Sequence, residues 1–285
     1  MSSLARRISV RRSYSDRRER TRAASSTNRS ARPVRRWAPR VPRLTDASFK
    51  PSATEELLLA GEKALLEQGD LAASRRWFES AARAALNTDD VSALARAALG
   101  LGGLWVHEHR TAVYAARVRT WQREALERLD PCSPWAARLA ARVAAETDYE
   151  KGSATAVLAA LDGARTGADA VLLADTLNLA HHCLLGPEHG EHRLALAREL
   201  LAVAAVSGRV VDETLGLLWL TVDLLLAGDP HAGRALRELR AANKSHGLRA
   251  VEYVLSALDV MLAIRLPVGQ QNAFALELAQ AGVPL

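Results

Sequence analysis

Aromatic residues make up only 5% of this 285-residue chain, and it has two cysteines and two methionines. Two cysteines, Cys132 and Cys183, are too few for a disulfide framework. They fit a reducing compartment with buried thiols. No stretch reaches the ~18 uninterrupted apolar residues of a spanning helix. The best candidate, Leu215 to Ala227, is short and carries Asp223. β-branched runs are scarce, which argues against a sheet. No G-x-x-x-x-G-K-[ST] phosphate loop occurs, and neither does H-E-x-x-H or a pair of C-x-x-C motifs. Gly100–Gly103 has the glycines of a phosphate loop, but it lies in a helical pattern with no lysine after it.

Acidic residues are also scarce at the start. Residues 1–50 hold fourteen arginines and Lys50 against Asp16, Glu19 and Asp46, a balance of +12. The whole chain carries +6, so residues 51–285 carry −6. Residues 1–50 are rich in Arg and Ser, with no sustained period. Such a segment cannot offset its ordering entropy by burial, so a disordered tail is expected. One reading of it is a solvated leader. Another is a tail that neutralises nucleic-acid phosphates, with Arg35, Arg36 and Arg40 as phosphate contacts and Trp37 stacking among them. The pair Arg6-Arg7 lacks the apolar run of a secretory or twin-arginine signal. The Arg- and Ser-rich composition also resembles an organelle transit peptide. The expected location is the cytoplasm, with no membrane partner.

After Pro51 half-apolar helical patterns take over. Residues 55–86 read as two helices joined at Gly69-Asp70. Leu58, Leu59, Leu65 and Leu66 recur at helical spacing on one arm, and Leu71, Trp77, Phe78, Ala81, Ala82 and Ala85 on the other. Each stripe is wider than its partner covers. Further hairpins follow: 90–129, broken near His109-Arg110; 133–165, with Ser133 as N-cap and Pro134 at the first helical position; 169–206; and 211–245, turning at Gly228–Pro230. A last arm, 248–266, precedes Pro267, and 268–285 form a weak, incomplete partner. The hairpins recur every roughly 33–41 residues, the range of helical solenoids. The expected fold is all-α: ten or more helices, stacked as antiparallel hairpins over 51–285.

Gly69, Asp70, Phe78 and Ala81 stand at tetratricopeptide-repeat spacing, with Ser74 where that motif usually has Ala. Leu86 and Glu62 depart from the motif. The segments Ala98–Arg110 and Leu184–Leu201 resemble the helical-repeat region of large bacterial signal-transduction ATPases, including LuxR-type transcription regulators. The resemblance spans about 55–265 and implies a right-handed solenoid that senses a ligand or partner. It does not extend to the ATPase module or a helix-turn-helix, for which no motif is present.

Candidate chemistry is sparse. His181, His182, Cys183, His189 and His192 form one group and His107-Glu108-His109 another. Neither has metal-ligand spacing, and no metal or cofactor is expected. His181 and His182 stand at a helix end, where imidazoles can bond orphan carbonyls. Asp223 sits in the apolar helix of Trp219, so it must be paired if buried. The expectation is a structural partner on a neighbouring helix, with Trp219 buried beside it. Trp105, His182, Trp219, Asp223 and Tyr253 fall on first arms or their ends and can line a groove, or Trp105, Trp219 and Tyr253 can be core. The leading functional reading is a non-enzymatic scaffold for protein–protein interaction, possible in signalling or transcription regulation. The other is a small-molecule-sensing fragment whose basic tail touches nucleic acid.

Overall fold

The computed structural model of the chain describes residues 51–108 and 111–264. Arg35, Arg36, Arg40 and Trp37, and the expected weak helix at 268–285, lie outside them.

Among the described residues there are eleven α-helices and no strand. They are α1 Ala53–Lys63, α2 Leu71–Thr88, α3 Val91–Gly102, α4 Ala112–Arg128, α5 Pro134–Lys151, α6 Thr155–Thr166, α7 Ala170–Cys183, α8 Gly190–Ser207, α9 Val210–Leu226, α10 Ala232–His246 and α11 Arg249–Ala263. None is long and apolar enough to cross a membrane. Local chemistry starts and stops them. Ser52 and Asp90 accept the third following backbone N–H, at 3.2 and 2.9 Å, as N-caps do. Ser133 caps α5, with Pro134 in its first turn. Between α1 and α2 the chain passes through a π-helical turn, Ala64–Gln68, then Gly69 at φ 66°. Asp70 accepts from Ala73 N–H at 2.8 Å and starts α2.

Each helix packs on the next in sequence. The odd-numbered helices also pack on one another in order, α1 on α3, α3 on α5, and so on to α11. They form one continuous layer, with the even-numbered helices set against it. The π-helical turn contacts α11, so this layer bends until its last described arm reaches its first hairpin.

Small residues set the spacing of the first three helices. Phe78 of α2 is 2% exposed, and Gly61 and Gly100 lie against its ring from α1 and α3. A methyl group built at Gly61 would sit 2.9 Å from that ring, and one at Gly100 closer still. The glycines of Gly100–Gly103 are therefore helix-packing residues up to Gly102, where α3 ends. α4 starts at Ala112, so the break expected near His109-Arg110 falls between α3 and α4, and those two residues lie outside the described ones. Where the chain leaves α3, the Gly102 and Gly103 carbonyls accept from Arg142 of α5.

Two apolar residues expected inside are on the surface. Trp77 is 43% exposed and Leu59 48%. Cys132 is exposed and Cys183 half-buried, against the expectation of two buried thiols. The inward faces of α1 and α2 are filled by Leu58, Phe78, Ala81, Ala82 and Ala85 instead.

Candidate functional site

A cavity of about 190 Å³ opens on the odd-numbered layer. Its wall is assembled from five first arms, with Leu200 of α8 completing it. Leu66 comes from the π-helical turn, and Leu99, Gly103 and Leu104 from the end of α3. Arg138 and Arg142 stand one turn apart on α5, Asp175 and Asn178 one turn apart on α7, and Asp212 and Leu215 on α9. Helical spacing puts each pair on one face of its helix.

An ionic belt crosses this wall. Arg138 Nε donates to Asp175 Oδ2 at 2.7 Å, and the Arg138 guanidinium lies over the Trp135 ring at 4.7 Å. The other Asp175 oxygen accepts from Arg209. Arg209 also holds Asp212 through Nε at 2.9 Å and through a terminal nitrogen at 2.6 Å. Ser207 donates to Asp212 at 2.6 Å. Burial works against the Arg209 charge, but Asp175 and Asp212 outweigh it and raise its pKa above the ordinary value.

Arg142 pins the loop that forms one rim. It is 4% exposed and donates to Glu146 at 2.6 Å, to Gly103 O at 3.0 Å and to Trp105 O at 2.7 Å. Glu146 accepts the His107 backbone N–H at 3.0 Å, and His107 takes a positive φ of 58°. Arg75 donates to Glu108 O at 2.7 Å. Burial raises the Glu108 carboxyl's pKa. Three side chains from α2 and α5 thus hold a loop whose described residues, 103–108, form no helix.

Behind the rim the aromatic rings gather. Trp105 meets Trp219 edge to face at 5.4 Å and stacks on His182 at 6.2 Å. Tyr149 stacks between His182 at 5.7 Å and His107 at 5.4 Å. His181 stacks on Trp219 at 4.4 Å. Trp219 Nε1 donates to Asn178 Oδ1 at 2.7 Å, which ties this cluster to the cavity wall.

Under the cluster lies a buried polar triad. His181 Nε2 and Asp223 Oδ2 are 2.7 Å apart, and Arg193 Nε donates to Asp223 Oδ1 at 2.8 Å. Arg193 also donates to Leu184 O and Gly186 O, each at 2.8 Å, so its charge closes the α7–α8 loop. Burial lowers the His181 pKa, and the Asp223 hydrogen bond partly opposes this. Burial likewise lowers His182 to about 4, helped by His181 and Arg142. Both imidazoles are therefore neutral at pH 7. With Nε2–H of His181 donating to Asp223, its buried Nδ1 is an acceptor without a partner. The Cys183 thiol donates to Ala145 O at 3.5 Å, and burial pushes its pKa up to about 12. Among the described residues no three His, Cys, Asp or Glu side chains gather as metal ligands would.

The structure therefore brings together Trp105, His182 and Trp219, with Asp223 reached through His181. Asp223 is 3% exposed and paired. Trp219 is half-buried rather than fully buried, since it stands between the core and the cavity wall. His181 bonds a carboxylate, not the helix-end carbonyls. Tyr253 is a correction: it is 75% exposed and no part of this group. On α11 it lies two residues from both Val251 and Leu255, the buried stripe, and so points roughly opposite to it. The belt of Arg138, Asp175, Arg209 and Asp212 was missed by sequence reasoning. One signal existed: Arg138, Asp175 and Arg209 recur at intervals of 37 and 34 residues, close to the hairpin period.

Comparison of the chain with protein-family models, with curated proteins and with solved structures gave no match.

Proposed function

We propose that the protein is a non-enzymatic sensor module of tetratricopeptide-like, right-handed solenoid build. A small molecule enters the cavity on its concave face, and occupancy is passed to a protein partner. The solenoid reading rests on the Gly69-Asp70 turn, on Ser74, Phe78 and Ala81, all buried, and on the layer of first arms. The likeness of 98–110 and 184–201 to LuxR-type regulators makes signalling or transcription regulation the setting.

One observation carries the ligand reading: five successive first arms each give the same cavity at least one residue. An occupant would therefore touch every described repeat but the last, and would restrain how the hairpins stack. A second observation favours the partner. Val206 and Val210 are 77% and 51% exposed and flank the turn that carries Ser207 and Arg209. The apolar surface and the ionic belt share one short segment, so a protein docked there would feel the cavity. In this reading the scaffold and the sensor are one device.

Thermal unfolding of the full-length chain against a chemically mixed panel of small molecules tests it. At least one should raise the melting temperature, and Leu99→Trp, which fills the cavity, should abolish that effect. If no compound acts in a cavity-dependent way, the sensor reading fails.

A further inference from the structure

The hydrogen-bonding capacity of the cavity wall is lopsided. Both oxygens of Asp175 are taken, one by Arg138 and one by Arg209. Both oxygens of Asp212 are taken by Arg209 and Ser207. Asn178 Oδ1 accepts from Trp219. The acceptors are thus satisfied, while donors are left over. Arg138 uses Nε for Asp175 and keeps both terminal amino groups. Arg209 keeps one terminal amino group, and Asn178 keeps its amide NH₂. Planar guanidinium forks of this kind match a carboxylate or a phosphate.

Charge chooses between those two. Arg138 and Arg209 face Asp175 and Asp212, and Glu146 pairs with Arg142, so the wall is already close to charge balance. A monoanion adds a single negative charge, met by the free donors of Arg138 and Arg209. A phosphate dianion would bring a second negative charge beside Asp175 and Asp212, with no cation to meet it. Apart from Gly103, the rest of the wall is apolar: Leu66, Leu99, Leu104, Leu179, Leu200, Val211 and Leu215. That surface suits an apolar body. A cavity of about 150 Å³ holds benzene, so this one, at about 190 Å³, suits a ring or branched chain plus a short acidic arm.

We infer that the cavity binds a small monocarboxylate with an apolar body, its carboxylate held by Arg138, Arg209 and Asn178. This rests on the sensor reading above and names the ligand class.

The test is calorimetric titration of the full-length protein with phenylacetate, benzoate and isocaproate. Phenethyl alcohol, phenethylamine and phenyl phosphate are the controls, matched in body but not in head group. At least one acid should bind, and each control should bind at least about tenfold more weakly. Arg138→Gln and Leu99→Trp should each weaken the acid by about tenfold or more, with circular dichroism unchanged. Should Arg138→Gln fail to fold, Asn178→Leu takes its place with the same expectation. Cavity-dependent binding of the alcohol, the amine or the phosphate, at the acid's affinity or better, overturns the carboxylate inference and leaves the sensor reading standing. Acid binding that neither variant weakens places the ligand elsewhere and overturns it. No binding by any of the six overturns it too, and the mixed panel then decides the sensor reading separately.

Discussion

Trp219 donates its indole N–H to Asn178 Oδ1 at 2.7 Å, and these two residues stand 41 positions apart on α9 and α7. This bond joins the aromatic cluster to the cavity wall. Trp219→Phe keeps an aromatic ring on His181 but removes the donor. It should cost about 1 kcal/mol, the net worth of a hydrogen bond. Trp219→Ala also loses the edge-to-face contact with Trp105 and the stacking on His181, and should cost about 3 kcal/mol, the low end for tryptophan truncation because the ring is only half-buried. Urea unfolding of the two variants measures both.

Asp223 joins α7, α8 and α9 through His181 and Arg193. Asp223→Ala leaves a buried guanidinium, 7% exposed as a residue, without its carboxylate. Such losses cost about 3–5 kcal/mol. Because the triad lies under the aromatic cluster and not in the cavity wall, Asp223→Asn should lower stability and leave ligand affinity per folded molecule unchanged. Calorimetry and melting on the same sample separate the two quantities.

Acid should destabilise the fold through buried His181 and half-buried His182. His182 is lowered to about 4 by burial, then by His181 and Arg142, with Glu146 opposing. In the unfolded chain it titrates near 6.5. Between those values the unfolded state binds more protons, so stability is full above about pH 6.5 and falls as pH drops toward 4. The loss from His182 should reach about 2–3 kcal/mol at pH 4. His182→Phe should flatten that part of the pH–stability curve, read from melting temperatures between pH 4 and pH 7.

Gly100→Ala should cost about 2–3 kcal/mol, as overpacking does. Its new methyl would press on the Phe78 ring. Phe78→Leu in the same chain should recover part of the loss, so the double variant should be more stable than the sum of the two costs implies.

The helices were legible because local chemistry writes them. Ser133-Pro134 starts α5 and Gly69-Asp70 turns the first hairpin, each within a few residues of sequence. The necessity of a partner for Asp223 was legible too, since a carboxylate in a leucine-rich helix requires one. The identity of the partners was not. His181 and Arg193 lie 42 and 30 residues away, and only the packing of α7 and α8 on α9 brings them in. Tyr253 misled because helical spacing alone does not say which face of α11 is covered. The belt was hidden for the same reason in reverse: charged residues read as solvated until the stacking of five arms turns them toward one cavity.

Amide hydrogen exchange of the full-length protein, with and without saturating phenylacetate, or whichever acid binds most tightly, tests the central claim most directly. The claim is that one ligand bridges the layer of first arms. It predicts that exchange slows together in segments far apart in sequence, around Leu99–Leu104, Arg138–Arg142, Asp175–Leu179 and Arg209–Leu215. Slowing confined to a single hairpin, or to the outer helices α2, α4 and α6, would contradict it.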